Sequence, residues 1–326
     1  GISGGLFPSP SNTLLAYYEM DERMVTQYPL YKLADTPATT NMIRYPTAGA
    51  KSHHVHVKIK DLRNVSDAIT IKTTGDPEQY LTNVSWSADE KYVLIALVNR
   101  AQNHMWLNKY DAKSGAFIKT LFEETNERYV EPEHAAIFLP NDPSKFIWWS
   151  ERDGYNHLYL YDIEGKLIKQ LTKGEWIVTE YVGMSSDAKK LYIVGTKDSP
   201  LERHLYAVNM KNGKMDNLTQ TPGFHNITAN SNCSLFIDDF SSTSVPKQIR
   251  LLDGLGNLKE VIYTAENPLK DYKLGAMELG ILKGNSGEDL YYRVFKPIDF
   301  DSTKKYPAVV YLYNGPHLQL ITNKWL

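Results

Sequence analysis

The chain opens with Gly1-Ile2-Ser3-Gly4-Gly5, which matches the G-x-S-x-G pattern of a hydrolase nucleophile. Such a serine is reactive only where a buried strand turns sharply into a helix, because that turn lifts its hydroxyl clear of the sheet. Here Pro8 and Pro10 stand where the helix would begin, and proline inside a helix removes a hydrogen bond. The residues around Ser3 therefore predict a flexible stretch before a strand and not a nucleophile.

Histidines and carboxylates could hold a cation in two further places. His54 and His56 lie two residues apart, so in a strand they share one face and could be two metal ligands. Neither they nor the adjacent His53 has a third ligand at metal-binding spacing, so we expect exposed strand histidines, no metal and no cofactor. The Glu131-Pro132-Glu133-His134 segment is acidic enough to contact a peptide amine or a cation, although an ordinary connecting loop is the favoured interpretation.

Aromatic side chains offer further candidates. Trp148, Trp149 and Trp176 could form a platform for a carbohydrate or a peptide, but their strand-like context favours core packing. Tyr313 ends an apolar run, where its phenol could donate a hydrogen bond to a carbonyl oxygen that gains negative charge. The alternative is a core tyrosine with its hydroxyl bonded to backbone, and the residues alone favour that alternative. His317, shortly after it, is a candidate base.

Bulk properties exclude several classes of protein. A net charge of −2 without a basic block argues against nucleic acid as a partner, and no apolar run is long enough to span a membrane. The single cysteine, Cys233, excludes an internal disulfide and fits a cytosolic or a bacterial periplasmic protein. Because the sequence does not begin with methionine, we expect a fragment or a processed product whose targeting signal is missing.

A repeated pattern predicts the elements that must position these residues. Turn residues followed by a short apolar run recur from Ser9, Ser87, Leu139, Ser185 and Ala229. A second recurring pattern is a hairpin with glycine at a turn position that needs a positive φ, which is found at Gly115, Gly165, Gly213 and Gly256.

The later units repeat at roughly 45 residues, as four-stranded propeller blades do. The chain is therefore predicted to be mainly β, with about five β-propeller blades over 1–265 and an inserted arm over 28–52. A β-sandwich is the less favoured alternative, because sandwiches lack a regular hairpin period.

The last part, 266–326, has a different pattern. Leu290, Tyr292 and Val294 alternate as in half-buried strands, whereas residues 308–313 are continuously apolar. Runs that are apolar on both faces are typical of the central sheet of an α/β domain, so we expect the truncated start of such a domain here.

Four stretches together resemble one family. They are Tyr45-Pro46-Thr47-Ala48-Gly49-Ala50, Leu171-Thr172-Lys173-Gly174-Glu175-Trp176, Ser199-Pro200-Leu201-Glu202-Arg203-His204, and Lys305-Tyr306-Pro307 with Tyr313-Asn314-Gly315-Pro316. The chain resembles the dipeptidyl peptidase IV branch of the prolyl oligopeptidase family of serine peptidases, in its bacterial, Bacteroides and Porphyromonas-like form. One departure is Phe7-Pro8-Ser9-Pro10, where the family tends to have tryptophan before Ser-Pro.

The resemblance implies the later blades of an eight-bladed propeller, followed by the first strands of an α/β-hydrolase domain. It implies an enzyme that releases N-terminal X-Pro or X-Ala dipeptides, with Tyr313 as the oxyanion-hole donor. The family's paired glutamates would precede Gly1, and its serine, aspartate and histidine would follow Leu326, so this chain alone is predicted to be inactive. By the same resemblance Ser3 lies on a propeller loop, and His317 is not the catalytic base because that histidine comes last in hydrolase order.

The resemblance also implies peptide substrates with a free N-terminus, a homodimer formed through residues 28–41 and a location in the bacterial periplasm or cell envelope. Two alternatives stay open. One is another peptidase of the same family, acylaminoacyl or endo-acting, and the other is a non-catalytic propeller that binds proteins.

Overall fold

The computed structural model describes residues 4–313 and 315–326, so that Ser3 and Asn314 lie outside the described residues. The chain divides into two compact units, Gly1–Lys173 and Gly174–Leu326. The described part of the first unit contains β1 (Leu6–Pro8), β2 (Leu14–Asp21), β3 (Gln27–Lys32), β4 (Thr39–Arg44), β5 (His54–Asp61), β6 (Ile69–Thr70), β7 (Tyr80–Trp86), β8 (Tyr92–Val98), β9 (His104–Asp111), β10 (Phe117–Thr125), β11 (Ile137–Leu139), β12 (Asp142–Ser150), β13 (His157–Asp162) and β14 (Leu167–Gln170).

These strands form three four-stranded antiparallel sheets, in the orders β1-β2-β5-β6, β7-β8-β9-β10 and β11-β12-β13-β14. Strands β3 and β4 form a separate two-stranded hairpin that overlaps the segment 28–52 predicted as an arm, and this hairpin is called the arm below. The arm is inserted between β2 and β5, which nevertheless pair directly with each other. Apolar side chains from neighbouring sheets pack together into the core of this unit.

The second unit repeats the design. Its strands are β15 (Val178–Met184), β16 (Lys190–Gly195), β17 (His204–Asn209), β18 (Met215–Asn217), β19 (Phe224–Ala229), β20 (Leu235–Ser242), β21 (Val245–Asp253), β22 (Leu258–Thr264), β23 (Met277–Lys283) and β24 (Asp289–Phe295). They form the sheets β15-β16-β17-β18 and β19-β20-β21-β22 and the hairpin β23-β24. A shared apolar cluster again joins the two sheets.

The described residues contain no helix, and therefore none that could cross a membrane. Sheets of four antiparallel strands are consistent with propeller blades, as predicted. The boundary predicted between residues 265 and 266 stays a prediction.

The hairpin glycines have the predicted positive φ, 69° at Gly115, 89° at Gly165, 72° at Gly213 and 86° at Gly256. Gly165 has a second reason to be glycine. A Cβ atom at Gly165 would collide with the backbone carbonyl of Leu121, which lies on the outer strand β10 of the preceding sheet. A Cβ at Gly115 or Gly256 would likewise meet the backbone of the preceding sheet's last strand or of the residue that follows it, so these three hairpins also set how closely neighbouring sheets of one unit approach.

The structure differs from the prediction over residues 308–313. It assigns no strand there, and the apolar side chains are exposed, with Val309 99% and Tyr311 83% accessible. A strand needs hydrogen bonds from a neighbouring strand, and none of the described strands pairs with this run. The start of an α/β-hydrolase domain is therefore not shown by the structure.

Candidate functional site

An acidic cleft of about 710 Å³ lies in the first unit. Its walls come from the end of β10, from the following loop of residues 126–136, and from the turn between β12 and β13. The side chains that line it include six glutamates, two arginines and one histidine: Glu123, Glu124, Glu127, Glu131, Glu133, Glu151, Arg128, Arg152 and His134. The excess of carboxylates makes it complementary to a cationic group.

Glu124 is the most firmly held of these carboxylates. Its Oε1 accepts hydrogen bonds from Trp148 Nε1 at 3.1 Å and from Arg152 Nη2 at 2.6 Å. Its Oε2 accepts one from Ser150 Oγ at 2.8 Å. Because three donors hold it, Glu124 belongs to the wall of the cleft and has little capacity left for a ligand.

The guanidinium group of Arg152 lies in the same wall of the cleft. Its Nη1 donates to the Tyr161 hydroxyl at 2.6 Å, and its guanidinium carbon lies 4.3 Å from the centre of the Tyr159 ring. Burial acts to lower the pKa of Arg152, but the carboxylate of Glu124 and the neighbouring Tyr161 raise it overall. The arginine is thus engaged with Glu124 and the tyrosines, and the other carboxylates set the charge of the cleft.

His134 and Trp149 form an aromatic patch in the cleft, with ring centroids 3.9 Å apart and planes tilted by 34°. Burial lowers the pKa of His134, and the nearby Glu133 opposes this shift. The Trp149 indole nitrogen is buried and has no hydrogen-bond partner among residues 4–313 and 315–326. The patch is thus a neutral, weakly polar surface beside the carboxylates.

The loop that carries the acidic residues is fixed by the second sheet and its connections. Asn83 Nδ2 donates to the carbonyl of His134 at 2.6 Å, and Ser85 Oγ accepts a hydrogen bond from the backbone of Ala136 at 2.9 Å. The backbone N–H of Val130 donates to a carbonyl in the loop between β8 and β9 at 2.7 Å. The cleft is therefore held in place before any ligand arrives. The serine that lines it, Ser150, is bonded to Glu124 and Arg152, so what the cleft presents to a ligand is negative charge and an aromatic surface.

Comparison with known proteins identifies the family. The family model described as "Dipeptidyl peptidase IV (DPP IV) N-terminal region" matches residues 2–247. The chain belongs to this dipeptidyl peptidase IV family.

Several relatives of the dipeptidyl peptidase IV family are similar to the chain. It is 39% identical to a Bacteroides ovatus protein whose crystal structure is assigned as a dipeptidyl aminopeptidase IV, with a TM-score of 0.92 over 98% of this chain and 48% of the other. It is 25% identical to Porphyromonas gingivalis dipeptidyl peptidase 4, with a TM-score of 0.89 over 100% of this chain and 46% of the other. Dipeptidyl peptidase 4 of the fungus Arthroderma otae is 28% identical over 98% of this chain and 43% of its own length. The chain spans about two fifths of the length of the curated relatives it matches.

Tyr313, the oxyanion donor that the dipeptidyl peptidase IV resemblance implies, lies in the second unit. Its side chain is 58% exposed and belongs to no strand. Its ring folds back against Gly315, where any side chain would collide with it. The core tyrosine that the residues alone favour is thus not observed. The oxyanion role stays a prediction.

The other candidates in this dipeptidyl peptidase IV chain are three tryptophans and the two histidines of strand β5. Trp148, Trp149 and Trp176 are buried, as predicted for core residues, although Trp149 also lines the cleft. In β5, His54 lies opposite Asp21 of the neighbouring strand, and the described residues contain no group of three side chains that could hold a metal ion.

The sequence marks the acidic segment 131–134 but favours an ordinary connecting loop there, and it does not indicate the supporting wall of the cleft. Glu124, Ser150 and Arg152 come from different elements, and nothing in their local sequence shows that they converge. The one local signal is that polar residues follow directly after Trp148 and Trp149 at the end of a buried strand.

Proposed function

We propose that the full-length protein is a serine exopeptidase that releases X-Pro and X-Ala dipeptides from the N-termini of peptides. The family match over residues 2–247 carries this proposal. The names of the relatives, dipeptidyl peptidases and aminopeptidases, support it. In this proposal the sheets gate and dock the substrate, admitting peptide ends and excluding folded proteins.

The chemistry of the proposal is acyl transfer. A serine, a histidine and an aspartate from the rest of the full-length protein would carry it out, with two glutamates there holding the substrate's amino group. Tyr313 would donate a hydrogen bond to the oxyanion, an interaction typically worth about 3–4 kcal/mol in the transition state. Its exposed phenol supports this role. The 326-residue chain alone is proposed to be inactive.

The deciding experiment measures the release of a chromogenic leaving group from Gly-Pro substrates by this chain and by the full open reading frame of its source. We expect only the longer protein to cleave, and we expect an N-acetylated Gly-Pro substrate to be resistant. Cleavage of the acetylated substrate alone would favour an acylaminoacyl peptidase, and cleavage of internal bonds an endopeptidase. Absence of all cleavage would favour a protein-binding propeller, and cleavage by the short chain would contradict the assignment of the triad.

The acidic cleft has its own test. We propose that it attracts cationic peptide ends, because carboxylates such as Glu131 and Glu133 line it. In the full-length protein the double change Glu131→Gln and Glu133→Gln should raise KM for free-amine peptides severalfold and leave kcat nearly unchanged. The matched change Glu266→Gln, at an exposed position outside the cleft, should alter neither. Equal effects of the two changes would contradict the proposal.

We also propose a homodimer formed through the arm at residues 28–41. Several apolar side chains of the arm are exposed, with Tyr31 69% and Leu33 82% accessible, which supports an interface there. Deletion of the arm should convert a dimer into a monomer in a light-scattering mass measurement. A dimer that persists would rule this interface out.

The location proposed for the full-length protein is the bacterial periplasm or cell envelope. The test is osmotic-shock fractionation of the source cells, followed by an immunoblot. Recovery with a cytoplasmic marker would contradict the proposal.

A further inference from the structure

Residues 319–325, here called the strap, are bound to the loops of the second unit at several points. Asn323 provides the central attachment. Its backbone N–H donates to the carbonyl of Leu201 at 2.7 Å, and its Nδ2 donates to Glu202 Oε1 at 2.8 Å. Its Oδ1 accepts from the backbone N–H of Thr243 at 3.2 Å. One side chain thus joins the strap to two separate loops.

Two further attachments flank Asn323. Towards the start of the strap, Gln319 Nε2 donates to the carbonyl of Pro200 at 2.8 Å, and Arg203 Nη2 donates to Gln319 Oε1 at 2.7 Å. Towards its end, the backbone N–H of Trp325 donates to Ser241 Oγ at 3.1 Å. The loop before β17 therefore holds the start of the strap, and the end of strand β20 holds its last residues.

A third element, strand β24, contacts the strap through Arg293. Its Nη2 donates to the carbonyls of Thr322 and Lys324. The strap thus touches two blade loops and the β23-β24 hairpin at once. Hydrogen bonds from a cationic donor are stronger than those between neutral groups.

Glu202, the carboxylate that receives Asn323, is itself oriented. Its Oε2 lies 2.8 Å from Nε2 of His204, a side chain that is almost fully buried. The His204 ring packs 5.2 Å from the ring of His225, which is in turn paired with Asp238. Glu202 therefore cannot turn away without disturbing a buried network, and the oxygen that faces Asn323 is held in place.

The strap begins shortly after Tyr313. The Tyr313 ring lies against Gly315, and the backbone N–H of Leu318 donates to the Gly315 carbonyl at 3.4 Å, closing a turn that leads into the strap. We propose that the strap, fixed by Asn323 on Glu202, positions the Tyr313 phenol for its role in the reaction. The proposal takes its chemistry from the function proposed above, whereas the docking of the strap does not depend on that function.

The first experiment tests docking in this chain by hydrogen exchange. In Asn323→Ala, we expect amides of the strap to exchange at least about tenfold faster, because local opening becomes easier when the attachment is lost. The matched control is Asn257→Ala, which removes a hydrogen bond of 2.9 Å to Asp253 in the β21-β22 turn of the same unit. It should leave the strap unchanged. Equal exchange of the strap in all three proteins would overturn the proposal.

The second experiment tests positioning in the full-length enzyme with Gly-Pro substrates. Asn323→Ala should lower kcat about tenfold with KM nearly unchanged, since small displacements of a catalytic group are costly. Tyr313→Phe should lower kcat about 10²–10³-fold. The double variant should be no slower than Tyr313→Phe alone, because the strap acts only through that phenol. Asn257→Ala should have no effect.

The outcomes separate the two proposals. Loss of kcat that multiplies in the double variant would show that Asn323 acts elsewhere, and would overturn the positioning role alone. A full-length protein that does not cleave Gly-Pro substrates, or a Tyr313→Phe variant with unchanged kcat, would overturn the proposed function and the positioning role together. The exchange experiment would still establish whether the strap is docked.

Discussion

Asp238 and Asp239 are neighbours on strand β20 that differ in their surroundings. Asp238 is 1% exposed, with its carboxylate oxygens 2.9 and 3.0 Å from His225 Nδ1 and 3.9 Å from an Arg250 nitrogen. Asp239 lies nearer the surface and pairs with Lys247 at 2.9 Å. Replacing each by alanine removes the same side chain from two different environments.

The expected costs differ severalfold. Loss of one partner of a buried pair typically costs about 3–5 kcal/mol, because the groups left behind stay buried without compensation. Loss of an exposed pair costs about 0–1 kcal/mol. In a unit of about 150 residues each kcal/mol lowers the melting temperature by about 2–4 °C, so Asp238→Ala should lower it by about 6–20 °C. Asp239→Ala should lower it by no more than about 4 °C.

Calorimetry and near-ultraviolet circular dichroism of the purified chain measure the difference. Asp238→Asn serves as a second variant, because it keeps an oxygen acceptor and should melt between the wild type and Asp238→Ala. Melting of the two alanine variants within about 3 °C of each other would refute the reasoning from burial.

Two other predictions concern the first unit. Gly165→Ala should destabilise the protein by about 1–3 kcal/mol more than Gly154→Ala in urea unfolding. Both glycines have φ near 90°, but only a Cβ at Gly165 meets the Leu121 carbonyl, so equal losses would contradict the collision. Burial raises the pKa of Tyr18 to about 12, so the folded state favours its neutral form and stability should fall as pH rises from 10 to 12. Tyr18→Phe should make the fall of the unfolding free energy less steep over that pH range, and an identical slope would contradict the assignment.

Local sequence was enough to predict the hairpins. A turn with positive φ depends on its own few residues, which is why Gly115, Gly165, Gly213 and Gly256 were assigned correctly. Alternation in the segment with Leu290 likewise predicted strand β24. The hairpins repeat along the chain, and their repetition predicted propeller blades, which a single hairpin would not.

Features that depend on distant partners could not be predicted in this way. The apolar run at 308–313 indicated a buried strand, but strand formation depends on a neighbour that the run itself does not specify. The wall around Glu124 could not be predicted for the same reason. The hydrogen-bond donors to Glu124 lie on and after β12, and they reach it only because the sheets pack together. Acidic composition drew attention to the segment 131–134, where an ordinary loop was nevertheless favoured, and gave no sign of Arg152.

The arm leaves and re-enters its sheet at neighbouring points. Strands β2 and β5 pair from Leu14 with Asp61 to Asp21 with His54, so the residues on either side of the insertion face each other across one ladder. The entropy of closing a loop rises only slowly with its length. This position is therefore a natural site for exchanging sequence: a tag, a reporter domain or a different recognition hairpin could be spliced in there without breaking the register of the sheet.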